Sequence, residues 1–173
     1  MSDQAYLIIL RLLHICTGVF WAGAVIYLAA FVTPAVKALG PEGGKFMQQL
    51  AKTNKLPVVM TIAATLNVIC GILLLWKLSD GFQNPWVSSR QFMIFSTGGG
   101  LAIIAYLEGL FVTRPTVNKI NQLGQSIAKA GGPPTAEQAQ QLNAYRGKIF
   151  KANNFVAFLL AVTVIFMSIA KYL

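Results

Sequence analysis

Charge is what this sequence has least of. Only 11% of its 173 residues are charged, with five acidic side chains and a single histidine, while 55% are hydrophobic. A soluble domain carries ionic groups at about a quarter of its positions, so water cannot be the solvent for most of this chain. The two cysteines, Cys16 and Cys70, both fall in apolar stretches without a metal spacing, which excludes a disulfide framework and leaves packing as their role. One histidine cannot make a zinc pair, and there is no Cys-x-x-Cys, no phosphate-binding glycine loop before a helix and no Ser/His/Asp set. Copper donors exist in His14, Cys16, Cys70, Met60 and Met93, but in no recognisable spacing. A basic leader is missing too. Asp3 stands where the n-region of a signal peptide would be, and the apolar run that follows is about twice a typical h-region, so the segment is expected to be retained.

What the chain has instead is four long apolar runs, at residues 5–36, 57–76, 92–113 and 150–170. A bilayer core of about 30 Å needs roughly 20 apolar residues in helical form. These runs are apolar on all faces and too long for barrel strands. The expected fold is all-α: one integral membrane domain over residues 1–173, a four-transmembrane-helix bundle.

The basic residues give it a direction, because short cytoplasmic loops collect positive charge. The first connection holds Lys37, Lys45, Lys52 and Lys55, and the third holds Arg114, Lys119, Lys129, Arg146, Lys148 and Lys151. Only Lys77, Arg90 and Lys171 flank the spans on the opposite side. This predicts an inner (plasma) membrane protein with both termini non-cytoplasmic. The net charge of +9 is distributed around spans and not gathered into a basic domain, so anionic headgroups are the expected partner and nucleic acid is not. In the third connection, residues 115–129 continue at helical spacing until Gly131-Gly132-Pro133-Pro134 breaks them. Thr135 follows as an N-cap, with Glu137 and Gln138 in the first turn. Helices 3 and 4 should therefore extend into the cytoplasm as a hairpin. A short amphipathic piece at residues 46–51, after a glycine-rich turn, should lie along the interface.

Ionisable groups at membrane depth cost about 2.5–3.5 kcal/mol each on insertion scales, so His14, Arg11 and Glu108 each need a reason. His14 sits roughly 12 Å below the outer boundary, by the rise per residue from Tyr6. Arg11, His14, Gly18, Trp21 and Ala22 share a helix face by spacing. At the same depth on the other helices come Cys70, Gly71, Gly98, Gly99, Gly100 and Thr163. Two readings fit. Either the glycines allow close helix packing, with His14 bonded to a carbonyl, a hydroxyl or Asn67, or they leave room for a flat cofactor whose metal His14 binds, as in haem. Glu108, near the inner end of helix 3, has Asn153, Asn154, Lys55, Arg114 and Lys151 within reach. It is either a neutralised structural group or a proton or ion site.

The first helix, with Leu13-His14-Ile15, Trp21-Ala22-Gly23-Ala24, Tyr27, Phe31 and Pro34, resembles the HemJ, CopD-like and related four-helix membrane proteins. The likeness continues through Lys52, Lys55 and Pro57 to Gly71-Ile72-Leu73-Leu74, and through Arg146, Phe150, Asn153 and Asn154. It covers about three quarters of the chain by loose patterns. The resemblance implies His14 as an axial ligand of haem b and a redox-associated role. HemJ proteins oxidise protoporphyrinogen and have a further histidine on helix 3. Residues 98–109 here have none, which argues against carrying that activity over. A haem could then be shared between the His14 residues of a homodimer, or take Met93 as a weak second ligand. Helix 3, ending Glu108-Gly109 and Thr113-Arg114-Pro115, looks most like members of the group without an established activity. The alternatives are a cofactor-free accessory subunit of a larger membrane complex, and a small proton or ion transporter using Glu108.

Overall fold

The computed structural model describes residues 3–173. Four of its helices are long and apolar enough to cross a membrane: α1 (Asp3–Ala38), α3 (Leu56–Leu78), α4 (Arg90–Ala130) and α5 (Ala136–Tyr172). A shorter helix, α2 (Pro41–Lys52), joins the first two. Consecutive spans are neighbours: α1 runs along α3, α3 along α4, α4 along α5, and α5 closes the ring against α1. The outward surface is apolar, with Val19 70%, Phe158 66% and Phe111 74% exposed. Such a surface is stable only in lipid, so the chain is a membrane protein.

Small residues set the spacing of the spans. Ala22, Ala63, Ala64, Ala102 and Ala105 are buried at mid-bundle, where they admit Trp21, Val25, Val156, Leu159 and Leu160 between them. In lipid, association rests on such close packing and on interhelical hydrogen bonds, since tails are as apolar as leucine.

Both connections at one end of the bundle are helical. The apolar part of α4 continues into the amphipathic residues 114–130, and α5 begins well before its apolar part, so the two form a hairpin beyond the bundle. The break between them has a local cause. Gly131 takes φ +70° to terminate α4, a conformation that costs glycine nothing. Thr135 then starts α5 with a reciprocal capping box: its Oγ1 accepts from Gln138 N–H at 3.2 Å, and Gln138 Oε1 accepts from Thr135 N–H at 3.0 Å. The amphipathic piece of the first connection is longer than the pattern suggests, because the glycine run belongs to the helix. Gly43 lies so close to the Val36 carbonyl that no side chain fits there, and Gly44 lies beside the Arg146 guanidinium.

At the opposite end, where Asp3 and Tyr172 lie, the α3–α4 turn is packed with aromatic rings. Phe82 meets Trp76 edge-on at 5.4 Å, and Phe92 meets Trp86 at 5.3 Å. The amphipathic rings among them, Trp76 and Trp86, favour the lipid–water boundary. Ser89 caps α4 there by accepting from Phe92 N–H at 3.1 Å.

Two spans contain a wide turn. The N–H of Thr33 reaches back five residues to Leu28 O in α1, and Arg114 N–H does the same to Gly109 O in α4. Each wide turn ends two residues before a proline, Pro34 or Pro115. Proline has no N–H to donate and its ring crowds the carbonyl four residues back. Loosening the preceding turn relieves that crowding, one of the recognised causes of π geometry inside a helix.

Candidate functional site

The residues singled out at the depth of His14 separate into two pairs of helices. On α1 and α3, His14 Nδ1 lies 2.9 Å from the Asn67 carbonyl oxygen, and Asn67 Nδ2 donates to the His14 carbonyl at 2.7 Å. A carbonyl can only accept, so Nδ1 carries the hydrogen, and the 3.3 Å approach of Asn67 Nδ2 to Nδ1 is a contact between two donors. The exchange requires close helices, and two glycines provide the room. A Cβ on Gly71 would sit 2.8 Å from His14 Cε1, and one on Gly18 would sit 2.7 Å from Asn67 Nδ2. Cys70 is buried beside this clamp with Leu10 and Leu74.

Gly98 belongs to the other pair. It turns toward α5, where Thr163 Oγ1 donates to its carbonyl at 3.2 Å and a Cβ would lie 3.1 Å from Phe166 Cβ. Gly99 and Gly100 face open space. The glycines of helix 3 thus share the depth of His14 without facing it; Gly71 of α3 lies against the imidazole instead. Arg11 is exposed and makes no hydrogen bond or ion pair among the described residues, whereas Trp21, one turn beyond Gly18, enters the core. The predicted face therefore holds for His14, Gly18 and Trp21 and not for Arg11.

At the hairpin end the spans diverge around a cavity of about 610 Å³. Trp21 and Val25 of α1, Met60 and Thr61 of α3, and Ala105 and Tyr106 of α4 form the part nearest the core. Both wide turns border it, through Leu28 and through Gly109, Leu110 and Thr113. Its far end, where Arg114 and Asn118 are exposed, is bordered by Met47 and Ala51 of α2, and by Arg114, Asn118 and Asn121 of α4. These last three stand on one face because they are four and three residues apart. Tyr106 is tied to Thr65 of α3 by a 2.9 Å hydroxyl pair, which holds the α3–α4 wall.

Glu108 lines this cavity. Its Oε2 accepts from Thr113 Oγ1 at 2.9 Å, within the wide turn, and its Oε1 is enclosed with no hydrogen-bond partner. The ion pairs among the described residues are Lys45 with Glu42 and Lys77 with Asp3, so neither Arg114 nor Lys55 nor Lys151 neutralises Glu108. Asn153 shares the cavity lining. Asn154 does not: it is exposed and its Nδ2 donates to Phe150 O at 3.0 Å. Sequence reading therefore found Glu108 and Asn153, and overlooked Trp21 as a wall of the same space, together with Asn118, Asn121 and Met47. The three-residue spacing of the two asparagines on an otherwise amphipathic extension is the signal that could have found them.

Fold and site together define a four-span helical membrane protein with a half-open cavity at one end and an imidazole–amide clamp toward the other. Comparison with protein-family models, with curated proteins and with solved structures finds no match for the chain.

Proposed function

We propose that this chain is a binding protein of the inner membrane, with both termini non-cytoplasmic and the hairpin in the cytoplasm, and that its working site is the cavity around Glu108. The orientation rests on Lys37, Lys45, Lys52, Lys55, Arg114, Lys119, Lys129, Arg146, Lys148 and Lys151 at the hairpin end. One observation carries the site: an acidic side chain at membrane depth lines a cavity while one of its oxygens has no partner. An enclosed carboxylate oxygen without a donor is costly, and a bound ligand or a proton removes that cost. A cavity within about 300–1,000 Å³, mostly apolar with a few convergent polar groups, is the usual form of a small-molecule site. Native mass spectrometry of the protein released from detergent tests this reading. A small-molecule adduct is expected on the wild type and not on Glu108→Ala; an identical adduct pattern in the two refutes it.

A second reading is favoured by the clamp. Bonding of Nδ1 to a backbone carbonyl fixes the tautomer and orientation of the ring, and it is the usual support behind a metal-bound imidazole. His14 Nε2 has no partner among the described residues. The donor chemistry of His14 thus fits a residue that would hold haem b through Nε2, and the haem would supply one-electron chemistry. The cavity at the hairpin end does not include His14, so a haem held by His14 would need further contacts from a second copy or a larger membrane complex. Oxidised and reduced absorption spectra of the purified protein and of His14→Ala are the test. A Soret band lost in the variant supports ligation, and a colourless wild type from haem-replete cells leaves His14 as a packing device.

A further inference from the structure

We infer that the cavity takes a monovalent organic cation: an ammonium group seated on Glu108 with an apolar body lying toward Trp21. The inference rests on the reading that this cavity is the working site. It follows from what the cavity offers and what it withholds. Glu108 is the only acidic residue in the lining, and it forms no ion pair among the described residues, although Lys148 is near enough to act on its charge. No group of three or more His, Cys, Asp or Glu side chains occurs among the described residues, so a hard divalent ion would lack the set of anionic oxygens it needs. With Oε2 bonded to Thr113 and Oε1 enclosed, an ammonium engages the carboxylate once the Glu108 side chain turns Oε1 toward the cavity, where it accepts an N–H of the charged group. The volume of about 610 Å³ is far beyond what a proton or a bare ion occupies.

The walls suit the body of such a ligand. Trp21 and Tyr106 contribute aromatic surface, and Met47 and Met60 are unbranched and adapt to irregular shapes. Arg114 gives the site a polarity. It stands six residues beyond Glu108, roughly 9 Å along the helix, and repels a cation at the mouth. The ammonium is therefore stable only at the deep, carboxylate end.

The test uses three molecules of similar shape: 2-phenylethylammonium, 2-phenylethanol and phenylacetate. Trp21 is the only tryptophan in the lining, so a Trp76→Phe/Trp86→Phe protein in nanodiscs reports on the cavity through one fluorophore. The ammonium is expected to change Trp21 emission saturably and to bind at least tenfold more tightly than the alcohol. Glu108→Gln, which keeps the shape and removes the charge, is expected to weaken the ammonium at least tenfold and to leave the alcohol unchanged. Equal binding of ammonium and alcohol, indifference to Glu108→Gln, preference for phenylacetate, or a saturable response to Mg²⁺ or Ca²⁺ alone each overturns the organic-cation assignment while the cavity remains a binding site. If none of the three organic probes perturbs Trp21, the cavity reading itself fails.

Discussion

Replacing Gly71 with alanine asks whether the α1–α3 clamp is as tight as its geometry implies. The new methyl would lie 2.8 Å from His14 Cε1 and 3.2 Å from Nδ1, about 1 Å inside ordinary carbon–carbon contact. The methyl is fixed to the backbone, so the imidazole must retreat, and its 2.9 Å bond to the Asn67 carbonyl stretches past hydrogen-bonding range. Overpacking of this kind costs about 1–3 kcal/mol, and an interhelical hydrogen bond in a membrane contributes about 0.6 kcal/mol on average. A loss of about 2 kcal/mol is expected in the unfolding free energy measured by titrating dodecyl sulfate into detergent-solubilised protein. The sharper readout is a double-mutant cycle. With His14→Ala in the background the methyl meets no ring, so Gly71→Ala should then cost less than about 0.5 kcal/mol, a coupling of more than about 1 kcal/mol. Additive effects, or a Gly71→Ala protein as stable as wild type, would show that the helices yield and that the clamp is not close-packed.

Gly98 and Gly99 are adjacent but should respond oppositely: Gly98→Val must displace Phe166 and Met167 and is expected to cost at least about 2 kcal/mol. Gly99→Ala meets nothing within 4 Å and should be neutral or stabilising by up to about 1 kcal/mol in the same titration. Thr135→Ala removes half of the capping box and should cost about 1 kcal/mol, read as faster amide exchange confined to residues 136–139 while the apolar part of α5 keeps its protection. Lys77→Ala breaks the 3.4 Å pair with Asp3, whose side chains are 42% and 84% exposed, and should change stability by less than about 0.5 kcal/mol at physiological salt. A larger change would mean that the pair is shielded at the membrane surface.

The spans and the hairpin could be read from the sequence because they depend on local chemistry. Apolar length makes the spans, and Gly131, Pro133, Pro134 and Thr135 together allow only a stop and a restart. The level of His14 along its span follows from the fixed rise per residue. Which residues face it does not follow, because depth says nothing about rotation. Three consecutive glycines at 98–100 point in three directions, and only one finds a close neighbour, on α5. The bond between His14 and Asn67 was one of several partners that spacing allowed. The cavity was harder still: it exists because two spans loosen before Pro34 and Pro115 and because α2 folds across one end. Neither event follows from hydrophobic pattern alone.

The loosened turn in α4 also alters phase. One added residue in a helix turns everything beyond it by about 100° relative to an unbroken spiral. Arg114, Asn118 and Asn121 therefore owe their position at the cavity to the five residues Gly109–Thr113 more than to their own spacing. Deleting Leu110 would shorten the chain by one residue and leave every cavity side chain except Leu110 in the sequence. With Leu110 gone the wide turn closes to an ordinary one and that polar row keeps its place, whereas closing the turn with Leu110 retained would swing the row about a quarter-turn out of the space it now borders.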